Sequence, residues 1–393
     1  MQPTASVFSQ ITTALYPAEF ARCALLFPNQ RPTRGLTAYD QFLALCFGQL
    51  TYRESLRDIV ACLQAKGPLL YHLGFRGNLS RTNLAYANHH RDWRLFEALA
   101  QILMRRAGRL YQADPSDPDL PKVAFALDSS VIALCLNLFP WGYYARTRKA
   151  AVKLHLRLSL QGNLPAWAAI TEADFPDMKM LDNIPVIPGA YDVMDRGYLD
   201  FVRLFQRHQA GGFFVVRSKC HVKFRVTASR PVDKSTGLRC DQTIQLTGKS
   251  SARSYPQPLR RIRVYRSENK VSLVLLTNQF EVPALVITDL YRQRWQVELF
   301  FKWIKQHLRL RAFYGRSENA VRCQIWSAIC AYLLVAIVKK KLKIQKTLNE
   351  ILQIVSVNIF EQTPLPELLA TNLSFSDCEK DSEHSQKLLL LKD

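Results

Sequence analysis

The sequence contains no Cys-x2-Cys pair, no internal repeat, no long membrane-type run and comparatively few acids, and each absence narrows what the chain can be. Nine cysteines, at positions 23, 46, 62, 135, 220, 240, 323, 330 and 378, are scattered and odd in number. That pattern fits free thiols in a reducing cytoplasm and argues against a disulfide frame or a zinc site. The start Met-Gln-Pro-Thr-Ala-Ser has no charged segment leading into an apolar run, so no secretory signal is expected. The longest apolar run, about Ile325 to Val338, is too short to span a bilayer comfortably and fits a buried helix. No basic amphipathic anchor or lipidation motif is found, which demotes the membrane as a partner. Acids number 32 against 53 Lys and Arg, a formal net charge of +21, well beyond what solubility requires. Such a field attracts polyanions, of which nucleic acid is the commonest.

What is present is enough residues for two or three domains, 393 of them, with a hydrophobic fraction of 48% that fits a folded soluble protein. Residues 1–118 read as helical. Phe42, Leu43 and Leu45 lie at helical spacing in Leu36 to Phe47, and Leu56, Ile59, Val60 and Leu63 do so in Arg53 to Leu63. After a turn at Gly74 to Gly77, Ser80 is placed to cap a helix opening with Arg81, Thr82 and Asn83. Cationic and amide side chains at a helix start suit a DNA-reading helix, and suit an ordinary surface helix equally well. A longer helix, roughly Arg91 to Tyr111, carries Trp93, Phe96, Leu99 and Leu103 at core spacing.

The segment Asp114 to Pro121, with three prolines in eight residues, is the clearest linker, and beyond it the period changes. Val123 to Asp128 reads as a central strand, with Val152 to Leu160 and Ala166 to Thr171 as two more. A helix over Asp177 to Asn183, a strand over Ala190 to Asp195, a helix over Tyr198 to His208 and a strand over Phe213 to Arg217 follow. That element order predicts an α/β fold with a ribonuclease H-like mixed-sheet core. Asp128 and Asp195 each fall at the end of an apolar strand run, where a ligand is within reach, although a strand-terminating turn is the commoner role for such a residue. Asp192 rivals Asp195: three positions apart, they point to opposite faces of an extended strand. Short alternating segments, Phe224 to Thr227, Thr243 to Leu246, Arg261 to Tyr265 and Val271 to Thr277, then predict a β-rich insertion. The expected organisation is a helical domain over 1–118, core over 119–210, insertion over 211–285, core again over 286–345, and a C-terminal extension over 346–393 whose end is expected to be poorly ordered.

The stretch Tyr291 to Lys305 has no Pro or Gly, and Thr288 precedes it as an N-cap candidate, so a single helix is expected. Tyr291, Arg294, Glu298 and Lys305 then fall within an arc of roughly 60°. Val297, Leu299, Phe300, Phe301, Trp303, Ile304 and Leu308 take the other side as an anchoring face. Cations and an aromatic suit phosphates and bases, while a lone carboxylate among them suits a divalent metal.

The spacing Tyr-x2-Arg-x3-Glu-x6-Lys resembles the signature of the insertion-sequence-four family of bacterial DDE transposases, cut-and-paste enzymes with an Asp-Asp-Glu triad. The resemblance runs over about residues 120 to 345, and Asp195-Arg-Gly-Tyr198 also looks like the segment around that family's second acid. It implies catalytic, metal-holding roles for Asp128, Asp195 and Glu298, with Mg²⁺ or Mn²⁺, two ions per site. It also implies a DNA transposase that cuts an element at its terminal inverted repeats and joins the 3′ ends to target DNA, acting as a homodimer at synapsis and on the nucleoid in the cytoplasm. Tyr291, Arg294 and Lys305 would grip the strand that is not transferred, and Trp295 would stack on a displaced base or simply pack. Arg148, Lys149 and Lys153 are further candidates for DNA contact. Three carboxylates suffice because Mg²⁺ keeps waters and takes further oxygens from the scissile phosphate. A DNA-binding regulator that holds ends without cutting, or a ribonuclease H-like nuclease that hydrolyses without joining, are the alternatives. The first is expected to lose one of the acids, and all three are present.

Overall fold

The computed structural model describes residues 5–28, 35–112, 123–135, 137–144, 149–266, 271–307 and 313–370. The linker Asp114 to Pro121, Arg148, Leu308, Arg309, Arg311 and the tail from Thr371 lie outside the described residues.

Among the described residues seven helices come first: α1 (Val7–Thr12), α2 (Pro17–Leu26), α3 (Ala38–Leu50), α4 (Leu56–Gln64), α5 (Leu69–His72), α6 (Arg81–His90) and α7 (Arg94–Tyr111). Their starts are written in the sequence. Thr37 and Asp40 form a reciprocal capping box on α3, and the hydroxyls of Ser55 and Ser80 accept the amides of Asp58 and Asn83 to open α4 and α6.

Among the described residues ten strands form one mixed sheet: β1 (Ala124–Leu134), β2 (Tyr143–Tyr144), β3 (Lys149–Ser159), β4 (Leu164–Glu172), β5 (Tyr191–Met194), β6 (Phe213–Arg217), β7 (Phe224–Arg230), β8 (Leu238–Leu246), β9 (Leu259–Arg266) and β10 (Val271–Thr277). β4, β3 and β1 pair antiparallel, and β1, β5 and β6 run parallel, which is the ribonuclease H-like order. The expected helix over Asp177 to Asn183 is a 3₁₀ helix, Asp177–Asp182. A 3₁₀ turn at Arg196–Tyr198 leads into α8 (Phe201–Gln209), where a single helix from Tyr198 was expected.

The β-rich segment does not fold apart from the core. β10 pairs antiparallel with β6, so β10, β9, β8 and β7 extend the same sheet, with one short helix, α9 (Lys249–Ser254), between β8 and β9. Backbone groups at the edge of β6 would otherwise be left without partners, and continuation of the sheet satisfies them.

The expected helix from Tyr291 is split into α10 (Ala284–Gln293) and α11 (Trp295–His307). Thr288 is no cap: α10 begins four residues before it, after Pro283, and the Thr288 hydroxyl bonds back to the Leu285 carbonyl. At the junction the amides of Arg294 and Val297 bond three residues back, to Tyr291 and Arg294, so the line continues through one tightened turn.

The apolar run lies in α12 (Glu318–Lys341), which by length and composition alone would cross a membrane, yet its most apolar window is 94% buried inside the protein. This helix packs chiefly against α7 and α3, reaching the sheet through contacts such as Arg322 to the Ile170 carbonyl. A helix apolar on every side must be covered on every side, and the N-terminal helices supply that cover. Phe42, Phe96, Trp326, Leu156 and Phe300 accordingly belong to one continuous core. α13 (Leu348–Asn358) and α14 (Leu365–Ala370) close the described chain, with Phe360 against Phe47.

Candidate active site

Register brings the first two acids together. Leu127 on β1 pairs with Met194 on the parallel β5, so the following residues, Asp128 and Asp195, stand side by side at adjacent strands. The amide of Ser129 donates to Asp128 Oδ1 at 2.8 Å. α11 packs across β1 and carries Glu298 in its first turn.

Arg294 joins the set. Its Nη1 donates to Asp128 Oδ2 at 3.1 Å and its Nη2 to Glu298 Oε1 at 2.5 Å, while its Nε is buried without a hydrogen-bond partner among the described residues. Tyr291, itself buried, directs its hydroxyl to Asp195 Oδ1 at 3.3 Å and lies under the guanidinium, 5.8 Å from ring centre to Cζ. Lys305 reaches past the acids to the Val131 carbonyl, 2.8 Å away. The expected stripe therefore contacts β1 and the end of β5. Trp295 is 56% exposed beside it.

The electrostatics are those of crowded acids partly removed from water. Burial raises the Asp128 carboxyl to about 6; the Ser129 amide and Arg294 pull it down, and the charges of Glu298 and Asp195 push it further up. Burial opposes the charge on Arg294, but Glu298 and Asp128 more than offset this and raise its pKa. Tyr291 is held up by burial and by Asp195, and Lys305 is lowered by burial.

Several expectations need correcting. Among the described residues no three His, Cys, Asp or Glu side chains are gathered tightly enough to hold a metal ion: Asp128 and Glu298 close on Arg294, and Asp195 on the Tyr291 hydroxyl, instead of on one another. Leu299, assigned to the anchoring face, is 43% exposed, because the remaining anchors Val297, Phe300, Phe301 and Ile304 already fill the interface. Lys153 is buried. Its ammonium donates to the Phe175 carbonyl at 2.7 Å and to Asp177 at 3.2 Å, so it is not available to DNA. Lys149 lies on β3, and Arg148 lies outside the described residues. Asp192 points the other way from Asp195, into a buried cluster with Arg157 and Arg207. Sequence reasoning missed Ser129, Asp177 and Tyr198, which crowd behind Asp128; only adjacency to Asp128 and Asp195 in sequence hinted at Ser129 and Tyr198, and nothing in the spacing marked Asp177.

A ribonuclease H-like sheet thus sets two aspartates at the ends of neighbouring strand pairings and a glutamate on a helix crossing them. The chain belongs to the transposase DDE domain family, whose model matches residues 119–334. A second model, a domain of unknown function, matches residues 4–76. A protein of Sinorhizobium fredii named as the transposase y4zB is 33% identical over 219 residues, 55% of this chain and 61% of that protein. A Geobacillus stearothermophilus protein named as a transposase for insertion sequence element IS5377 is 33% identical over 54% of this chain and 56% of its own length. A Synechocystis protein named as a transposase for insertion sequence element IS4SA is 24% identical over 67% of this chain and 73% of its own. The chain thus spans about three fifths of the length of the first two relatives. Among solved structures, a piggyBac transposase synaptic complex with hairpin DNA is similar at a TM-score of 0.44 and 9% identity, over 96% of this chain and 83% of that one, a likeness too slight to weigh.

Proposed function

We propose that the chain is a DNA transposase of the Tyr-Arg-Glu-Lys type, cutting double-stranded DNA at the inverted repeats of an insertion element and joining the freed 3′ ends to a target. The observation that carries this reading is the β1–β5 register, which sets Asp128 beside Asp195, with Glu298 tied to the pair through Arg294. Asp128, Asp195 and Glu298 offer only hard oxygen donors, and the upward shift of Asp128 is what a bound cation would relieve, so the set fits Mg²⁺ or Mn²⁺. Two such ions, when bound, neutralise charge on the attacking and leaving oxygens of the phosphodiester.

The remaining roles belong to side chains of the stripe. Arg294 stands between Asp128 and Glu298 and must leave them before they can hold a cation; a DNA phosphate offers its guanidinium an equivalent bidentate partner. Tyr291 fixes the Asp195 carboxylate through its hydroxyl. Lys305, half-buried against β1, presents its charge at the far end of the stripe. Trp295 has the exposure that stacking on a base requires. The charge of +21 supports polyanion binding, two ends imply a homodimer at synapsis, and the nucleoid in the cytoplasm is the corresponding location. The helical region 1–118 is assigned to DNA binding, with α6 its candidate reading helix.

The test is Mg²⁺-dependent cleavage of a duplex carrying the flanking inverted repeat, comparing the native chain with Asp128→Ala, Asp195→Ala and Glu298→Ala. Each change is expected to abolish cutting while end binding in a gel-shift assay persists. Normal cutting by Asp195→Ala would sink the assignment.

A further inference from the structure

We infer that Asp177 is a positioning residue for Asp128, acting through Ser129; the inference rests on the reading of Asp128 as a metal-holding acid. Asp177 opens the 3₁₀ helix after Pro176, far in sequence from either strand end. Its Oδ1 accepts the Ser129 hydroxyl at 2.7 Å and the Lys153 ammonium at 3.2 Å, with His155 Nδ1 at 3.8 Å. Tyr198, in the 3₁₀ turn directly after Asp195, is buried against the same group. A Cβ placed on Gly197 in that same turn would come within 3.6 Å of Asp177 Oδ2. One carboxylate thus meets the residue after Asp128 and the turn after Asp195.

The consequence follows from the Ser129 backbone. Its amide is the donor that fixes Asp128 Oδ1 at 2.8 Å, so the orientation of the Asp128 carboxylate depends on where Ser129 is held. The strand ladder sets the height of Ser129 on β1, opposite His155, but leaves its side chain free to rotate. Asp177 removes that freedom through its hydrogen bond with the Ser129 hydroxyl. Asp177 is itself held by Lys153, a buried cation whose remaining contact is the Phe175 carbonyl. Burying an ammonium is costly unless it is paired, and here the pair lies one residue from the acids. Because its Oδ1 is already shared by two donors and Ser129 intervenes, Asp177 orients the site without joining it as a ligand. Supporting groups of this kind tune metal affinity by about 10–100-fold.

The experiment measures Mn²⁺ binding by electron paramagnetic resonance on the full chain bound to a pre-cut end duplex with a 3′-dideoxy terminus, which permits no joining. Native chain, Asp128→Asn, Ser129→Ala, Ser129→Thr, Asp177→Ala and the Ser129→Ala/Asp177→Ala double variant are compared, each with its thermal melt. Ser129→Ala and Asp177→Ala are each expected to weaken Mn²⁺ binding about 10-fold. The double variant is expected to be no worse than either, and Ser129→Thr to bind as the native chain does. Ser129→Ala keeps the Lys153–Asp177 pair, so it remains informative should Asp177→Ala fail to fold. Native affinity in Ser129→Ala, or losses that simply add in the double variant, would overturn the proposal. If Asp128→Asn itself binds Mn²⁺ like the native chain, the metal reading fails first, a result separable from failure of the Asp177 link alone.

Discussion

Two carboxylate–guanidinium clusters lie close to β5, one around Asp192 on that strand and one joining Asp128 and Glu298 beside Asp195, and they behave as opposites. Asp192 is buried with its partners: Arg157 Nε is 2.9 Å from Oδ1, Arg207 grips Oδ2, and both guanidinium groups also donate to the carbonyls of Pro185, Ile184 and Leu181. Arg157 further covers the Phe125 ring at 3.9 Å. Arg157, Asp192 and Arg207 are each 2–3% exposed. Around Asp128 and Asp195 the chemistry is the same but the surroundings differ. Arg294 is 13% exposed, Asp128 22% and Glu298 34%, and one guanidinium serves two acids while its Nε has no partner among the described residues. Each cluster leaves one guanidinium nitrogen without a hydrogen bond among the described residues, so exposure is what separates them: an ion cluster in a dry interior locks packing, whereas one open to water can exchange its cation. The comparison separates a residue of the fold from residues of the site more cleanly than sequence position does.

Breaking each cluster in turn should show the contrast. Asp195→Asn is expected to lower end cleavage by about 10³-fold or more, since charge stabilisation by a metal site is worth several kcal/mol, with the urea unfolding midpoint unchanged. Asp192→Ala should do the reverse to the fold: leaving Arg157 and Arg207 buried without their acid costs about 3–5 kcal/mol, measured by denaturant unfolding. A cutting defect in Asp192→Ala without loss of stability would reverse the two assignments.

Acid sharpens the comparison further, through His155 on the buried side of β3. Burial lowers its pKa to about 4, against an ordinary value near 6.5, despite the pull of Asp177. The unfolded chain therefore takes up the proton first, and stability is lost as pH falls from about 6.5 towards 4, by about 3 kcal/mol at the lower limit. His155→Gln should flatten that part of the stability–pH curve, read by chemical denaturation at fixed pH steps; an unchanged curve would mean another group sets the acid limit.

The smallest effect is expected at Arg294. Removing the guanidinium by Arg294→Gln frees Asp128 and Glu298, so Mn²⁺ binding without DNA should tighten about 10-fold, as expected for loss of one competing close charge, while end-duplex binding weakens. Titration calorimetry measures both. Arg157→Gln, in the locked cluster, should leave Mn²⁺ binding as it is, and equal responses of the two variants would erase the distinction drawn between the clusters.

What the sequence determined by itself was local. Apolar period placed β6 and β10 at Phe213–Arg217 and Val271–Thr277, and the polar spacing from Tyr291 to Lys305 put Tyr291, Arg294, Glu298 and Lys305 in one stripe, because a strand or helix imposes its repeat on whichever residues it contains. Only tertiary structure decided which partners those residues met. The register of β1 against β5 set Asp128 beside Asp195 and turned Asp192 inward. The need to cover an apolar helix on all sides joined the N-terminal helices to the core, and the tightened turn at Arg294 placed its guanidinium between two acids. Those outcomes depend on contacts between residues as far apart as Asp128 and Arg294, 166 positions, which no local repeat encodes.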